Sequence, residues 1–564
     1  MSFKVKYYFK EELAYTEDHV LVKNLFLNDI EESLEQHQVQ DYFERYGCIE
    51  KFHMYSSGNK RKRTNVDDFE NGTRTGYVVF KDPRHAAEAL KTELHVVSQC
   101  RITVQPSYTC LQPDAEKMPD KAENVNPPGN TAAIMKLNDY CLEHVFRELS
   151  VSDRIQFART CYRFRNIYEE MSPMLDKLID FEIFNEMTAW EVRNFFQLSG
   201  CNVRSIKGEI TKHHCDLVCE FLGKHCINLQ SLRICDDSLI SYDIFKMLAN
   251  LNSLQNLEIL QEGLTSENLQ AIEHLNQLKN LKIIHIEIGN AEDLNCLPKS
   301  IESLTLENYD PDPQPELLMK IFNGLPMLKE LHLPNYTPKS PCIEQIINEN
   351  GCESLETLSI GTDNYEIADY HQIARIPNLR KLILNFFRRD VDELPPMIMT
   401  CLVEHKSKQL EHFEIRIYSG TGVNADILSD IGKLSALHKL ILPDIDLITD
   451  RGLESLFNLQ NLTEIEISSS CEITDNGVLR LILACPKLQL LSLQDCKKLT
   501  DKLLSDIIMK LPNNQDHRPL PIKLFLYGTK VNELTLLNAN VAVRNIIDVS
   551  ITEIIKVTEL YSFK

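Results

Sequence analysis

One short pattern, Leu-x-x-Leu-x-Leu with Ile, Val or Phe as substitutes, recurs downstream of about Cys201 in this 564-residue chain. It reads NLQSLRI, QLKNLKI, MLKELHL, NLRKLIL and KLQLLSL in successive stretches. A fixed period of about 26 residues indicates a stacked repeat array. The first apolar positions of the copies are Val203, Leu229, Leu254, Leu278, Ile301, Leu328, Leu355, Leu379, Leu410, Leu437, Leu462 and Leu488, and IKLFLYG is a poorer further copy.

Each copy predicts a strand followed by a helix. The last two apolar positions alternate, as a strand with one buried face requires, and stretches such as ITDRGLESLFNL have helical spacing. One copy cannot bury its own leucines, so neighbours must stack into a solenoid with a parallel sheet on its concave face. The stretch from ITDRGLESLFNL to LQDCKKLTD resembles the cysteine-containing leucine-rich repeats.

Composition limits the function classes. An apolar share of 43% and a charged share of 25% are typical of a folded protein. The net charge of −22 opposes binding of the whole molecule to nucleic acid or an anionic membrane, so any basic patch must be local. The sequence shows no signal peptide and no membrane span, and we expect an intracellular, soluble protein of the cytoplasm, the nucleus or both, with reduced cysteines.

The sequence divides into five regions. A polar, proline-broken stretch at 111–131 predicts a linker. It separates a βαββαβ pattern at 18–110, with a first strand at His19–Leu25, from the rest of the chain. Residues 1–17 form an amino-terminal extension, 132–175 a short helical region, and 176–564 the repeats with a carboxyl-terminal cap. The fold class is therefore multidomain α/β.

The region at 18–110 resembles an RNA-recognition motif, through VLVKNL and TRTGYVVF. In that family, bases stack on aromatic side chains of the open sheet face. Alternation predicts Leu21, Thr75 and Tyr77 as the outward positions, and only Tyr77 is aromatic. The resemblance gives Lys23 and Tyr77, with the basic loop residues Lys60, Arg61, Lys62 and Arg63, as candidate RNA contacts, although binding of a protein is favoured.

The stretch from Leu137 to Tyr168 predicts two short amphipathic helices. Leu142, Val145, Phe146 and Leu149 share one helix face, and Ser150 begins a second helix in which Phe157, Cys161 and Phe164 share another. Two such helices expose more apolar surface than they can bury together. Either a partner covers it, or it caps the end of the solenoid.

This stretch resembles the F-box motif, whose pattern is Leu-Pro-x-x-x-Leu-x-x-Ile-Phe-x-x-Leu followed by Asp-Leu and a Cys-x-x-Trp-like end. Asn138 stands where proline is usual, and Phe164 where tryptophan is commoner. The resemblance implies docking on a Skp-type adaptor of a cullin ubiquitin ligase. The implied adaptor contacts are Leu137, Leu142, Val145, Phe146, Leu149, Cys161 and Phe164.

The positions between the repeat leucines predict a protein-binding surface on the inner face of the sheet. In the middle repeats they carry charges of both signs around two isoleucines, a mixture that suits a protein partner. The predicted substrate contacts are Lys381, Ile383, His412, Glu414, Arg416, Lys439, Ile441, Glu464 and Glu466. Scattered solvated strand residues would give the same pattern.

Catalytic motifs are not found. The sequence contains no Walker loop, HExxH or GxSxG. The cluster TKHHCDLVCEFLGKHC, with His213 and His214, suggests a metal, but Cys226, Cys352 and Cys485 each lie three residues before a repeat start. We therefore expect buried small residues in register, with neither a metal nor a cofactor.

The combined expectation is a non-catalytic substrate receptor of an SCF-type ubiquitin ligase. The alternatives are a leucine-rich-repeat scaffold without a ligase role, and an RNA-binding regulator that acts through the amino-terminal domain.

Overall fold

A computed structural model describes most of the chain as two compact units, Met1–Asp236 with Ile240–Leu254, and the remainder. The described residues are 6–16, 20–55, 73–113, 132–209, 215–236, 247–287, 291–307, 317–336, 342–349, 351–361, 367–386, 396–417, 427–442, 448–470, 472–511, 518–532 and 545–552. Most of the predicted linker lies outside them.

The amino-terminal domain is an antiparallel sheet with two helices. A hairpin of Tyr7–Lys10 (β1) and Leu13–Thr16 (β2) precedes it. Its strands are Asn24–Glu31 (β3), Ile49–Met54 (β4), Thr73–Phe80 (β5), Leu94–Val97 (β6) and Cys100–Pro106 (β7), in the order β4-β5-β3-β7-β6. Its helices are Gln36–Glu44 (α1) and Pro83–Leu90 (α2). The predicted βαββαβ order is confirmed, with β6 as an unpredicted addition.

The first strand of this domain was placed wrongly. It runs over Asn24–Glu31 instead of His19–Leu25. Val20 and Val22 are buried, but they precede the ladder, in which Asn24 is paired with Val79 and Leu25 with Pro106. The shift changes which side chains face outward, because alternate residues of a strand point to opposite faces.

The short helical region contains three helices where two were predicted. They are Asp139–Glu148 (α3), Val151–Thr160 (α4) and Tyr162–Leu175 (α5). Asn138 caps α3 by accepting from the Cys141 N–H at 2.8 Å, and Ser150 caps α4 by accepting from the Asp153 N–H at 3.2 Å. Cys161 has an extended backbone, with φ of −159° and ψ of 162°, and therefore ends the second helix before Phe164.

The described residues that follow form a parallel sheet of 15 strands. The first unit holds Leu178–Asp180 (β8), Ser205–Glu209 (β9) and Ser231–Asp236 (β10). The second unit holds Asn256–Thr265 (β11), Asn280–Glu287 (β12), Ser303–Glu307 (β13), Glu330–Leu333 (β14), Thr357–Gly361 (β15), Lys381–Phe386 (β16), His412–Ile417 (β17), Lys439–Leu442 (β18), Glu464–Ile467 (β19), Leu490–Ser492 (β20), Ile522–Phe525 (β21) and Ile547–Ser550 (β22).

The repeat prediction is confirmed, because a strand begins two residues after every predicted start; Leu278, for example, precedes Asn280. The strands are separated by helices or 3-10 turns. The α-helices of this region that the structure describes are Ala189–Ser199 (α6), Cys215–His225 (α7), Leu317–Gly324 (α8), Cys342–Asn348 (α9), Ile367–Ala374 (α10), Pro396–Lys406 (α11), Ile427–Ile431 (α12), Asp450–Glu454 (α13), Asp475–Ala484 (α14) and Asp501–Lys510 (α15). None of the described helices is long and apolar enough to cross a membrane.

Hydrogen bonds between successive helix starts supplement the leucine core in the last repeats. The Asp450 carboxylate accepts from the backbone N–H of Thr474 at 2.8 Å and from its hydroxyl at 2.6 Å. Asp475 accepts from Thr500 at the same two distances. The Ile/Leu-Thr-Asp triplets therefore fix the stacking of neighbouring repeats. The recurrent cysteines Cys226, Cys352 and Cys485 are buried, as expected.

Candidate functional site

The interior of the α3–α5 bundle contains three of the predicted adaptor contacts. Leu142 and Phe146 have 0% of their surface exposed, and Phe164 has 3%. Helix α5 packs against them: Phe146 stacks on Tyr168 with ring centres 5.6 Å apart, and the ring centres of Phe157 and Phe164 are 4.2 Å apart. The prediction that these three side chains meet a partner directly is therefore wrong, because the unpredicted third helix buries them.

A strip of apolar side chains is exposed along the outside of α3, and we call it the adaptor strip: Leu137, Tyr140, Cys141, Val145 and Leu149. Leu137 and Tyr140 are 37% and 66% exposed, Cys141 is exposed, and Val145 and Leu149 are half-buried. Cys161 is also half-buried, and Tyr162 beside it is 50% exposed. Sequence reasoning missed Cys141, although the spacing of four in Leu137, Cys141, Val145 and Leu149 could have found it.

Arg163 holds the beginning of this strip in place. Its guanidinium donates to the Met135 carbonyl at 2.9 Å, to the Leu137 carbonyl at 2.6 Å and to the Asp139 carboxylate at 2.6 Å. The 3-10 turn at Ala133–Lys136 is thereby tied to α5. The beginning of the strip is therefore tied to α5 by side-chain hydrogen bonds.

A buried polar network joins the bundle to the first strand and helix of the repeat region, β8 and α6, which we call the first repeat. The carboxylate of Asp176, which is 0% exposed, accepts from the Tyr168 hydroxyl at 2.6 Å, the Ser199 hydroxyl at 2.8 Å and Arg154 at 3.3 Å. Burial and the charge of Asp176 raise the pKa of Tyr168 well above its usual value. Ser199 lies on α6, so bundle and first repeat share one polar centre.

A second contact joins the same elements. Glu191 of α6 is buried and accepts from the Ser152 hydroxyl at 3.0 Å and from the side chain of Gln156, both on α4. It also accepts from the Thr188 N–H at 2.9 Å, which completes a capping box at the start of α6.

The predicted substrate contacts lie in adjacent rows of β16–β19. Lys381, His412, Lys439 and Glu464 are consecutive register partners, and Ile383, Glu414, Ile441 and Glu466 form the next row. Ile441 and Glu466 are half-buried, as are Lys381, His412, Arg416, Lys439 and Glu464. Ile383 is only 1% exposed and Glu414 7%, so the expectation that both side chains face a partner is wrong.

Glu414 is buried because its neighbours on the same strand neutralise it. It accepts from Arg416 at 2.6 Å and lies 3.2 Å from the imidazole of His412. Burial raises the pKa of Glu414, but the hydrogen bond from His412 and the charge and hydrogen bond of Arg416 outweigh burial and lower it to about 2. Burial also lowers the pKa of His332, which lies three strands away on β14, to about 4.

The outer face of the amino-terminal sheet carries more aromatic rings than predicted. In the observed register Phe26 and His53 are both paired with Tyr77, so all three share one face. Tyr55 is 46% exposed, and its ring centre lies 6.2 Å from that of Tyr77. Leu21 was wrongly assigned to this face, because it precedes β3; Phe26 is the correct residue.

A groove of about 350 Å³ runs beside these rings, between β4, β5 and the segment after β7. Leu111 and Pro113 form one wall. The neighbouring side chain of Gln112 fixes that segment, because it accepts from the N–H groups of Lys23 and Asn24, each at 2.8 Å. Lys23 is half-buried, and Lys60, Arg61, Lys62 and Arg63 lie outside the described residues.

Among the described residues, no group of three or more His, Cys, Asp or Glu side chains is placed to hold a metal ion. His213 and His214, from the cluster considered above, lie outside that part of the chain. Cys215 and Cys219 are buried on α7.

Comparison with known proteins identifies the helical bundle. Residues 134–167 match the model of the F-box domain. The chain therefore contains an F-box domain, which follows the amino-terminal antiparallel sheet along the sequence and precedes the strands and helices of the repeat region.

Two solved structures are similar to parts of the chain. One is the RRM3 domain of Mip6, at 20% identity, covering 15% of this chain and 94% of that one, with a TM-score of 0.12. The other is an internalin from Listeria monocytogenes, at 15% identity, covering 65% of this chain and 90% of that one, with a TM-score of 0.31.

Proposed function

We propose that this chain is the substrate-recognition subunit of an SCF-type cullin-RING ubiquitin ligase, acting in the cytoplasm, the nucleus or both. The F-box domain binds a Skp-type adaptor, the repeats bind a protein substrate, and the chain itself catalyses no reaction. Its task is to raise the concentration of substrate lysines near the catalytic subunits. The observation that carries the proposal is an F-box domain whose apolar strip is exposed while its core is complete.

The adaptor strip supports docking of a foreign helical surface. Tyr and Leu side chains that are exposed beside half-buried Val145 and Leu149 form a contiguous apolar patch, a feature that marks protein interfaces. The alternative, an end cap for the repeats, is served by other residues of the bundle: Ser152 and Gln156 of α4 bond to Glu191 of α6, and Asp176 bonds to Ser199 of α6. The strip takes no part in those bonds.

Co-expression with a Skp-type adaptor tests the proposal. Wild-type chain should co-purify with the adaptor, and Val145→Glu should abolish this by placing a charge in the middle of the strip. Leu178→Glu is the matched control, because Leu178 is 72% exposed but lies outside the F-box match. An adaptor that is never retained, or is retained equally by Val145→Glu, would favour a repeat scaffold without a ligase role.

For substrate, the accessible members of the two rows are the best candidates: Lys381, His412, Arg416, Lys439, Ile441, Glu464 and Glu466. Lys439 and Glu464 pair across strands at 2.6 Å, so the row presents charges of both signs. Such a surface favours a protein partner of mixed charge over nucleic acid.

A second candidate function, RNA binding through the amino-terminal sheet, gains support from the observed register. Phe26, Tyr55 and Tyr77 give three rings where Tyr77 alone was expected, and each stacked base contributes about 1–3 kcal/mol. Titration of the full chain with a labelled single-stranded RNA should show binding that weakens with salt and with Phe26→Ala. If Phe26→Ala and Tyr77→Ala each bind the RNA as tightly as the wild-type chain does, the sheet face does not bind RNA in this way.

A further inference from the structure

The amino-terminal sheet ends in a strand, β6, whose outer edge is open in the described part of the chain. This strand is paired on one side, with β7, and lies at the end of the strand order. The turn between the two strands has a positive φ at Ser98 (48°) and at Gln99 (73°), as a two-residue hairpin turn of type I′ requires. The turn fixes the register, with Val97 opposite Cys100.

The backbone groups of Leu94 and Val96 point away from β7. The Val104 N–H donates to the Glu93 carbonyl at 2.8 Å, so these two residues form a hydrogen-bonded pair of the ladder. Hydrogen-bonded and non-hydrogen-bonded pairs alternate in an antiparallel ladder, so Leu94 and Val96 do not bond to β7. Their N–H and C=O groups are therefore directed to the open side, at the spacing that a further strand would use.

The outer side of β6 lacks the features that usually protect the edge of a sheet. Leu94 and Val96 are 46% and 55% exposed, and the strand LHVV has no acidic residue, lysine, arginine, proline or register shift. The opposite end of the same sheet, β4, has exposed Glu50 and Lys51 and a register shift between Ile49 and Lys51. Soluble proteins use such charges and irregularities to prevent pairing at an edge. The edge of β6 therefore has the properties of an interface.

The inner side of β6 holds the strand in place. His95 is 2% exposed, with Nε2 3.0 Å from the Ala89 carbonyl and Nδ1 3.2 Å from the Tyr42 hydroxyl, and Val97 is 3% exposed. Burial lowers the pKa of His95, so the strand is uncharged at neutral pH. Because the edge is already ordered, pairing with another strand costs little backbone entropy.

We propose that β6 pairs with β6 of a second copy of this chain and joins two amino-terminal sheets into one. The strand is self-complementary about His95, because antiparallel pairing places Leu94 opposite Val96 of the second copy, and Val96 opposite its Leu94. Each of these pairs exchanges two backbone hydrogen bonds and brings two exposed apolar side chains together. Glu93 then faces Val97 of the second copy, so like charges do not meet. A contact of this isologous kind closes at two copies.

Dimerisation is a function separate from adaptor and substrate binding. It places two F-box domains and two repeat surfaces in one assembly, which increases the avidity for a substrate with more than one binding segment. It rests on neither the adaptor proposal nor the substrate proposal.

Sedimentation velocity of the full-length chain at rising concentration measures the association, with a reductant present because the chain has 17 cysteines. We expect the molar mass to rise from that of one chain to that of two. The dissociation constant should be about 10–100 μM, since two short strands bury less area than a standard interface.

Val96→Lys should weaken the association about tenfold or more, because an ammonium group enters each apolar pair. Ile227→Lys is the matched control and should associate as wild type, since Ile227 is also 55% exposed but lies in the repeat region. Thermal melts of both variants establish that loss of association is not loss of folding.

Hydrogen exchange read by mass spectrometry locates the contact. The amides of Leu94 and Val96 should exchange more slowly as the concentration of the chain rises, whereas the amides of β4 should not change.

The proposal is overturned if the reduced chain is still a monomer at about 300 μM, above the expected dissociation constant. A Val96→Lys variant that associates as tightly as wild type would contradict it equally. Association that leaves exchange in β6 unchanged would assign the dimer to another surface and also overturn it.

Discussion

Removal of the Asp176 carboxylate should destabilise the F-box bundle and the first repeat together. In Asp176→Ala, Arg154, whose side chain is 13% exposed, loses the carboxylate with which it forms an ion pair, and the hydroxyls of Tyr168 and Ser199 lose an acceptor. Breaking one side of a buried ion pair costs about 3–5 kcal/mol, because the remaining charge is buried without compensation.

Urea unfolding followed by Trp190 emission measures this cost, since Trp190 lies on α6 beside the network. At an m-value of about 3 kcal/mol/M, the loss lowers the midpoint by about 1–2 M. Asp153→Ala is the control: Asp153 is exposed and bonds to Ser150, so its removal should cost about 1 kcal/mol or less. A midpoint in Asp176→Ala equal to that of Asp153→Ala would refute the view that the network holds the two elements together.

Three further outcomes are expected. Asp475→Ala should lower the unfolding free energy by about 2 kcal/mol, because two donors of Thr500 lose their acceptor. Glu472→Ala, which breaks an exposed ion pair with Lys498, should lower it by under about 1 kcal/mol, and urea titration of both variants compares the two losses. The pKa of Glu414 is about 2 in the folded chain, below its unfolded value of 4.5. The ionised Glu414 side chain should therefore stabilise the fold fully above about pH 4.5, and this stabilisation should disappear as the pH falls toward 2. Thermal melts of Glu414→Gln should lack that part of the pH dependence. Phe146→Ala should lower the unfolding free energy by about 3–5 kcal/mol, because Phe146 is fully buried. Val145→Ala should lower it by about 1 kcal/mol and should mainly weaken adaptor binding. Unfolding and binding assays on the same samples measure both effects.

The repeat sheet was largely predictable because its register is set by a local pattern. Every Leu-x-x-Leu-x-Leu copy became a strand, since leucines alternating along a strand must point to the core side. The two strands outside the pattern, at Leu178–Asp180 and Ile547–Ser550, were missed because their short apolar stretches do not repeat the motif.

The errors arose where long-range contacts decide the outcome. Cys161 adopts an extended backbone that no helical spacing reveals, and the resulting third helix buries Phe146 and Phe164. The first strand shifted toward Phe26 because pairing with β5 and β7, not the apolar run VLV, sets its bounds. Ile383 is buried although alternation places it on the face of the sheet away from the leucine core. Alternation predicts the direction of a side chain, but it does not predict which other residues pack over it.

The most direct test of the receptor proposal is a calorimetric titration of purified full-length chain with a purified Skp-type adaptor. Wild type should bind with a dissociation constant of about 1 μM or tighter, and a folded Val145→Glu variant should bind at least a hundredfold more weakly. No heat of binding with the wild-type chain, at concentrations well above that value, would contradict the assignment of this F-box domain to a ligase.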